Sequence, residues 1–572
     1  MTDGAAVISG LGMTSLGRVY GSSPRRLAAR AVRLAAADAG LTLGHIDGLL
    51  ICPGVTGGLD VGLAGVLGLR DLALLAVVNS FGASAATAVQ VAAQAVASGA
   101  ARAVACVFAD TPLREGAPAG SAFGSQDAAS GATGPPERIG LAGLATGYGF
   151  RSVNVYYALA ARRHMERFGT TSEQLGAIAV AQRQWAAGNP AAQYTEPITV
   201  ADHQRSRWVA EPLHLLDCSL VSNGAIAVIV TSRAAAEAGP RPPVHVWGWG
   251  QGHPGHAMTR GSDFGLVTGA VQAGKTAMGM AGIGPADITM CQIYDCYTYT
   301  VLVTLEDYGF CAKGEGGAFV ASGTLGPGGS LPVNTGGGQL SSYYMWGFTP
   351  LSEAVIQARG DGGARQSTAN DLILVSGNGG ILAYHGTLVL SPHPRGSAVA
   401  RSAAARPAMP AAAKPLERNR PRGQPGQPER LALAGPADFG VVRADPRSAP
   451  FFDSAARDEL MLKRCQRCER WLAPTASGCP ECGEDADELA WAPASGRGTL
   501  VSWSVVHPRR GGPVAVPALV ELTEGPWLAT GLLPSGPLQL AALSSGQSVE
   551  AVFVHPDEGA SYPLFRSVGG QG

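Results

Sequence analysis

LALLAVVNSFGASAATAVQVAAQAVASGAA, residues 72–101, runs for thirty residues without a single charge. The length suits a membrane-spanning helix. The content does not: Ala, Gly and Ser dominate, Asn79, Gln90 and Gln94 interrupt it, and it begins as a strand-like apolar run. A helix buried inside a soluble α/β core explains it better, and no membrane association is expected.

The pattern extends outward on both sides. AAVISGLGM (5–13), IDGLLI (46–51) and ARAVACVFAD (101–110) read as strands, and SPRRLAARAVRLAAADAG (23–40) reads as a helix. Ser23-Pro24 is a good helix start and Gly40 a good stop. Alternation of this kind predicts layered α/β structure. A second set begins near Pro243, with VHVWGWG (244–250), a helix around 262–282, ITMCQIYD (288–295), TYTVLVTLEDYG (298–309), DLILVSGN (371–378) and GTLVLS (386–391). Residues 1–393 are therefore expected to form two α/β halves, about 1–238 and 239–393, related by duplication without a residue-level repeat.

Residues 394–440 lose all apolar periodicity and are rich in Pro, Arg and Ala, as expected of a linker. A short helix, FFDSAARDELMLKRC (451–465), and a cysteine cluster fill 441–490. From 491 to 572 the strands GTLVSWSVVH, VAVPALVEL, PWLATGLL and VEAVFV alternate with Gly/Pro turns, which predicts a small β-barrel.

Several function classes are disfavoured at the outset. Lys+Arg 42 against Asp+Glu 43 leaves no basic surplus to attract nucleic acid. MTDGAAVISG has no basic and apolar leader, so a cytoplasmic location is expected. Gly250-Gln-Gly252-His-Pro-Gly255 matches the dinucleotide spacing formally, but lacks a helix cap and a downstream ribose acid. No redox cofactor is expected, and His253 reads as a loop residue.

Of ten cysteines, Cys465, Cys468, Cys479 and Cys482 are paired as CxxC–x10–CxxC. Each knuckle points two thiolates at one ion, and two knuckles close a tetrahedral shell with no open position. A structural Zn2+ is predicted there.

Around that cluster, CxxC, RWLAPTASG, CPxC and ASGRGTLVSWSVVH resemble, in that order, a family of zinc-ribbon plus OB-fold modules found beside thiolase-like proteins and associated with acyl-CoA. The first 393 residues resemble the sterol-carrier-protein-X branch of the thiolases. The matching stretches are LAARRHMERFGTTSEQLGAIAV (159–180), NPAAQY (189–194), EPLHLLDCSLVSNGAIAVIV (211–230), YDCYTYTVLVTLEDYGFCAKGEGGAFV (294–320) and LPVNTGGGQLS (331–341). The resemblance implies a duplicated thiolase fold followed by a zinc ribbon and an OB-fold barrel, assembled as a homodimer through the thiolase-like part.

The departures decide the chemistry. Thiolases place an acylated cysteine at the start of a buried helix, where the dipole and N–H groups activate it. Gly82 stands in that position here, flanked by Ser80 and Ser84. The Asn-Glu-Ala-Phe motif is replaced by Tyr294-Asp295-Cys296-Tyr297, the family's histidine falls at about Tyr344, and the second cysteine aligns with Val375 or Ser376. Proteins with the same losses resemble aldolases of steroid side-chain degradation, which cleave a β-hydroxyacyl-CoA into a ketone and a shorter acyl-CoA. That resemblance makes a CoA thioester the expected substrate and an enoyl-CoA hydratase an expected partner.

Retro-aldol cleavage needs a base for the β-hydroxyl, donors for the thioester oxygen and an acid for carbon, but no nucleophile. Tyr294, Tyr344 and Asp295 are the expected catalytic groups, with Asp295 taking the hydroxyl proton or lowering a phenol from about 10 toward 7. Gly82, Ser84, Tyr297, Gly379, Gly380 and His385 are expected around the oxyanion and pocket. Tyr343 is the alternative to Tyr344. Two other readings stay open at this stage: a Claisen-type acyltransferase using Ser80 or Ser84, and a non-catalytic acyl-CoA or sterol-binding partner.

Overall fold

The computed structural model describes residues 6–123, 138–255, 263–395, 432–433, 441–507 and 514–568. They form two compact units that interleave along the sequence. The first comprises residues up to Phe123, Thr170–Ser206 and Leu215–Glu417. The second takes Gly124–Gly169, Arg207–His214 and the chain from Arg418 onward.

The first unit is built on strands β1 (Ala6–Met13), β2 (Gly48–Pro53), β3 (Leu74–Val77), β4 (Ala103–Asp110) and β5 (Gly224–Ser232), followed by β6 (Val244–Gly252), β7 (Met290–Gln292), β8 (Ile373–Gly379) and β9 (Tyr384–Ser391). They are ordered β7-β8-β9-β6-β1-β5-β4-β2-β3. Within the first half the order is third, second, fourth, fifth, first. The second half repeats it once the parallel bridge of Val333 to Cys291 in β7 is counted as its third strand. Strand directions repeat too: β2/β4 and β7/β8 are parallel, while β4/β5 and β8/β9 are antiparallel. The duplication predicted from element order is present in the topology.

The halves also share a packing device. A Cβ on Gly12 in β1 would lie 2.2 Å from Ala31 O in helix α1 (Pro24–Asp38). The run 72–101 folds as β3, a 3-10 turn at Phe81–Ala83 and helix α2 (Ser84–Ala97), whose Ala85, Ala86, Ala88, Val89, Ala92 and Ala93 are buried. Small residues let this helix lie directly against the strands, which is why it carries so little hydropathic bulk. No described helix is long and apolar enough to cross a membrane. The first unit is completed by helices α3 (Ser172–Ala186), α4 (Ala270–Ala281), α5 (Thr298–Asp307) and α6 (Phe348–Arg359). The predicted helix around 262–282 is thus shorter. A Cβ on Gly250 in β6 would lie 2.2 Å from Ala273 O in α4, the counterpart of the Gly12 contact. In this strand the glycines of the dinucleotide-like motif serve strand–helix packing.

In the second unit, strands β10 (Leu460–Cys465), β11 (Trp471–Leu472) and β12 (Leu489–Ala494) form the ribbon. Strands β13 (Arg497–Trp503), β14 (Pro517–Leu522), β15 (Trp527–Gly531), β16 (Ser548–Val554) and β17 (Tyr562–Ser567) form a sheet ordered β15-β14-β13-β16-β17. The Leu532–Phe565 bridge closes it into the expected barrel. The predicted helix 451–465 is corrected: the helix spans Ala449–Ala455, Asp458 turns the chain at φ +63°, and 460–465 is a strand. Leu460 and Leu462 alternate inward and the strand pairs with β12, so cross-strand packing overrides local helical preference. Most of the predicted linker, 396–431 and 434–440, lies outside the described residues.

Candidate active site

Three loops converge on Gly82. The first is the turn between β3 and α2. Ser84 Oγ accepts the Ser80 N–H at 2.8 Å, so this buried hydroxyl closes the turn. Phe81 sits at φ +53°, strained backbone of a kind that concentrates at functional sites. The second loop is Gly377–Gly380. Cβ atoms on Gly377 and Gly379 would lie 2.5 Å from Gly82 O and 2.3 Å from Ser80 O, so the loops meet backbone to backbone. Gly380, at φ +59°, lies against the Tyr384 ring.

The third contact comes from Tyr294. A Cβ on Gly82 would stand 2.1 Å from Asn378 O and 2.3 Å from Tyr294 Cε2. The tyrosine ring therefore fills the space a side chain at position 82 would take. Glycine at 82 and tyrosine at 294 are one change seen from two sides.

The Tyr294 hydroxyl lies 3.2 Å from the Tyr344 hydroxyl. Tyr343 points elsewhere: its hydroxyl meets Ser352 Oγ in α6 at 3.2 Å, and burial, reinforced by Glu353, pushes its phenol up to about 12. Of the two adjacent tyrosines, Tyr344 is the one paired with Tyr294. Burial also raises the Tyr344 phenol well above 10, with Cys296 and Asp110 acting in the same direction. The expectation of a phenol tuned toward 7 is therefore reversed. No cation is among the causes acting on this phenol, and the hydrogen bond from Tyr294 pulls it down by less than burial pushes it up.

Asp295 is fully buried. Its carboxylate accepts from Gln339 N at 3.0 and 2.9 Å, Gln339 Nε2 at 3.1 Å and Leu340 N at 3.3 Å. These donors belong to a π-helical turn, Gly338–Ser342, which leads directly into Tyr344. Burial pushes the Asp295 carboxyl up to about 6 against the pull of these N–H groups. Neither phenol is among its partners. Asp295 is thereby tied to the loop that carries Tyr344.

Sequence inspection missed two residues that work with it. Asn334 Oδ1 accepts the Ile293 N–H at 2.6 Å, and Ser222 Oγ accepts the Tyr344 N–H at 3.0 Å. Asn334 lies inside the NTGGG stretch at φ +52°, and Ser222 inside SLVSNG, so both were visible as motif letters without a role. A buried pair stands behind Tyr297: Asp217 Oδ1 lies 2.8 Å from His203 Nε2 and accepts from Thr298 Oγ1 at 2.5 Å. Tyr297 itself is buried and serves as the residue preceding α5.

His385 falls on the other side of the sheet. Side chains alternate along β8, and Gly377 and Gly379 face Gly82, so Ser376 faces away. His385 Nε2 meets Ser376 Oγ at 3.1 Å and the Tyr308 hydroxyl at 2.9 Å. Burial pushes the imidazole down to about 3, which keeps it neutral.

The four cysteines of the second unit do converge. Cys465 Sγ and Cys482 Sγ are 3.5 Å apart, Cys468 Sγ and Cys479 Sγ 3.4 Å, and all four lie within 4.8 Å of one another. Four sulfurs on a tetrahedral ion with bonds near 2.3 Å would be separated by roughly 3.8 Å. The cluster can hold a metal ion, and the backbone N–H groups of Cys482 and Glu481 hold the Cys479 thiol down to about 6.

Comparison with known proteins matches residues 250–392 to a thiolase C-terminal domain-like family and 491–554 to the ChsH2 C-terminal OB-fold domain. The chain is 38% identical over 381 residues to a steroid side-chain-cleaving aldolase of Thermomonospora curvata, covering 66% of this chain and 96% of that protein. It is 36% identical over 394 residues to the 17-hydroxy-3-oxo-4-pregnene-20-carboxyl-CoA lyase of Mycobacterium tuberculosis, covering 66% and 98%. A solved structure described as an Ltp2-ChsH2(DUF35) aldolase superposes with a TM-score of 0.60 at 36% identity, over 68% of this chain and 98% of that one. A monomeric SCP2-thiolase like protein from Mycobacterium smegmatis, 16% identical, shares the fold over 99% of both chains with a TM-score of 0.62.

Proposed function

The chain belongs to the family of thiolase-like steroid side-chain-cleaving aldolases, and from that premise we propose that it cleaves a β-hydroxyacyl-CoA bearing a bulky, steroid-like skeleton into a ketone and a shorter acyl-CoA. The observation that carries this is the pair of tyrosine hydroxyls, 3.2 Å apart, over a glycine where the fold's nucleophile would stand.

Retro-aldol cleavage is proton-neutral overall: the β-hydroxyl loses a proton and the α-carbon gains one. Two neutral phenols in contact can carry that proton. The phenol facing the hydroxyl accepts its proton while passing its own to the second, and the second delivers a proton to the enolate. Neither need persist as a phenolate, which fits a Tyr344 pKa raised by burial. Donors from the glycine loops at Gly82 and Gly379 would face the thioester oxygen. In this scheme Asp295 is a positioning residue. The test is incubation with a tertiary β-hydroxyacyl-CoA, followed by separation of products. Ketone and shortened acyl-CoA in equal amounts are expected; an acyl adduct on Ser80 or Ser84 by intact mass would instead establish the acyltransferase alternative.

A pH consequence follows from the Asp295 carboxyl. Its ionised form accepts the loop N–H groups, so activity is expected to be full above about pH 6 and to fall as pH drops through that value. In Asp295→Asn, whose amide cannot accept all four bonds, kcat should be low at every pH and this acid limb should vanish. A pH profile of kcat for both proteins checks it.

We assign Zn2+ to the four-cysteine site, in a structural role. Metal analysis of the purified chain should give one zinc per chain, and Cys479→Ser should lose it. The thermal transition of the ribbon should then disappear, because structural zinc contributes folding energy outright. A second copy of the chain is the proposed partner of the edge strand β3, where Leu75 and Val77 are exposed. An enoyl-CoA hydratase would supply the β-hydroxyacyl-CoA by adding water across a double bond. We place the protein in the cytoplasm, in keeping with a clustered thiolate metal site at Cys465, Cys468, Cys479 and Cys482.

A further inference from the structure

Asn223, 1% exposed, stands where strand β5 begins, beside the C-terminal ends of β1 and β4, which both run antiparallel to it. All of its polar groups are engaged. Its N–H donates to Gly17 O at 2.8 Å, and its carbonyl accepts from Gly17 N at 3.0 Å. Its side-chain Oδ1 accepts from Leu113 N at 2.7 Å, while Nδ2 donates to both Val19 O and Leu113 O at 2.8 Å. One buried amide thus fastens the loop after β1 to the loop after β4. The preceding residue, Ser222, holds the Tyr344 N–H. The same dipeptide therefore ties both loops to the loop that carries Tyr344.

Each loop carries an arginine next to its point of attachment. The Val19 N–H donates back to Gly17 O at 3.0 Å, which makes a three-residue turn with Arg18 at its apex. Arg114 directly follows Leu113 and opens a turn closed by the Ala117 N–H on Arg114 O at 3.1 Å. Both arginines are exposed, and neither is ion-paired among the described residues. The two turns contain one acid, Glu115, so the pair keeps a net positive charge in a chain whose total is −1. Free guanidinium groups on hydrogen-bonded turns suit a phosphate, whose oxygens take their N–H donors bidentately. An acyl-CoA carries its phosphates at the end remote from the thioester. The path from Tyr344 through Ser222 and Asn223 to these arginines likewise leads outward from the reacting groups.

Resting on the acyl-CoA reading above, we propose that Arg18 and Arg114, on loops joined by Asn223, form the subsite for the phosphates at the nucleotide end of the CoA thioester. The test presents one β-hydroxyacyl group to the full-length protein on CoA and on pantetheine, which lacks those phosphates. In Arg18→Ala and in Arg114→Ala, the ratio of KM for the CoA thioester to KM for the pantetheine thioester should rise about 10-fold, and further in the double variant. Thermal melts should match the parent, because both side chains are exposed. An unchanged ratio in the double variant would overturn the assignment while leaving the cleavage reading intact. Calorimetric titration with CoA and with pantetheine reads the subsite without turnover. CoA binding weakened in the variants, with pantetheine binding unaltered, supports the subsite even where no cleavage is seen; equal CoA binding in parent and double variant removes it.

Discussion

Tyr294→Phe is expected to lower kcat by roughly 10²–10⁴, the range for losing one proton-transferring group, with Tyr344→Phe falling in the same range. The two hydroxyls share one hydrogen bond at 3.2 Å, so the proton route is cut wherever either oxygen is removed. The double variant should therefore be little worse than either single one, because residues acting as a unit are not additive. Folding should be nearly unaffected: each change deletes one hydroxyl from a retained ring, worth about 1 kcal/mol. Steady-state kinetics on the cleavage reaction, with thermal melts as the control, check this. Turnover near the parent level in both single variants would remove the phenols from the mechanism. Tyr343→Phe, whose hydroxyl faces Ser352, should leave kcat within a few-fold of the parent.

Gly82→Ala is the second change with a large expected effect. The new methyl would lie 2.1 Å from Asn378 O and 2.3 Å from the Tyr294 ring, so something must move. Asn378 belongs to β8 in the sheet, and the ring is the more movable partner. Displacing a reacting group by about 1 Å costs on the order of 10²-fold, and overpacking destabilises the fold by about 1–3 kcal/mol. If the loss acts through Tyr294, adding Gly82→Ala to Tyr294→Phe should cost little more activity. A full multiplicative loss would show that the methyl acts elsewhere, on the Gly377–Gly379 loop. Gly82→Cys faces the same obstruction, so restoring the thiolase nucleophile at this position is expected to fail while Tyr294 keeps its place.

The amino-acid order determined a good deal alone. The uncharged run 72–101, with alternating strand-like and helix-like segments around it, specified a layered α/β domain because a run with no charged face belongs in a core. The CxxC–x10–CxxC spacing specified the metal site, since each knuckle is closed by residues three apart. Glycine in place of the nucleophile was legible through the resemblance to thiolases, whose acylated cysteine opens the same buried helix.

Tertiary structure decided the rest, and in each case the deciding contact is remote in the chain or depends on a strand's face. Tyr344 was separated from Tyr343 by a partner fifty residues away, and Asp295 became a loop clamp because its acceptors close on Gln339 and Leu340. His385 went to the opposite side of the sheet by the pleat of its pairing with β8. Residues 460–465 became a strand because β12 lies beside them. Spacing along a chain encodes what one turn or knuckle can close. Which phenol meets which, and which loop N–H groups a carboxylate takes up, is settled only when separate loops are packed together.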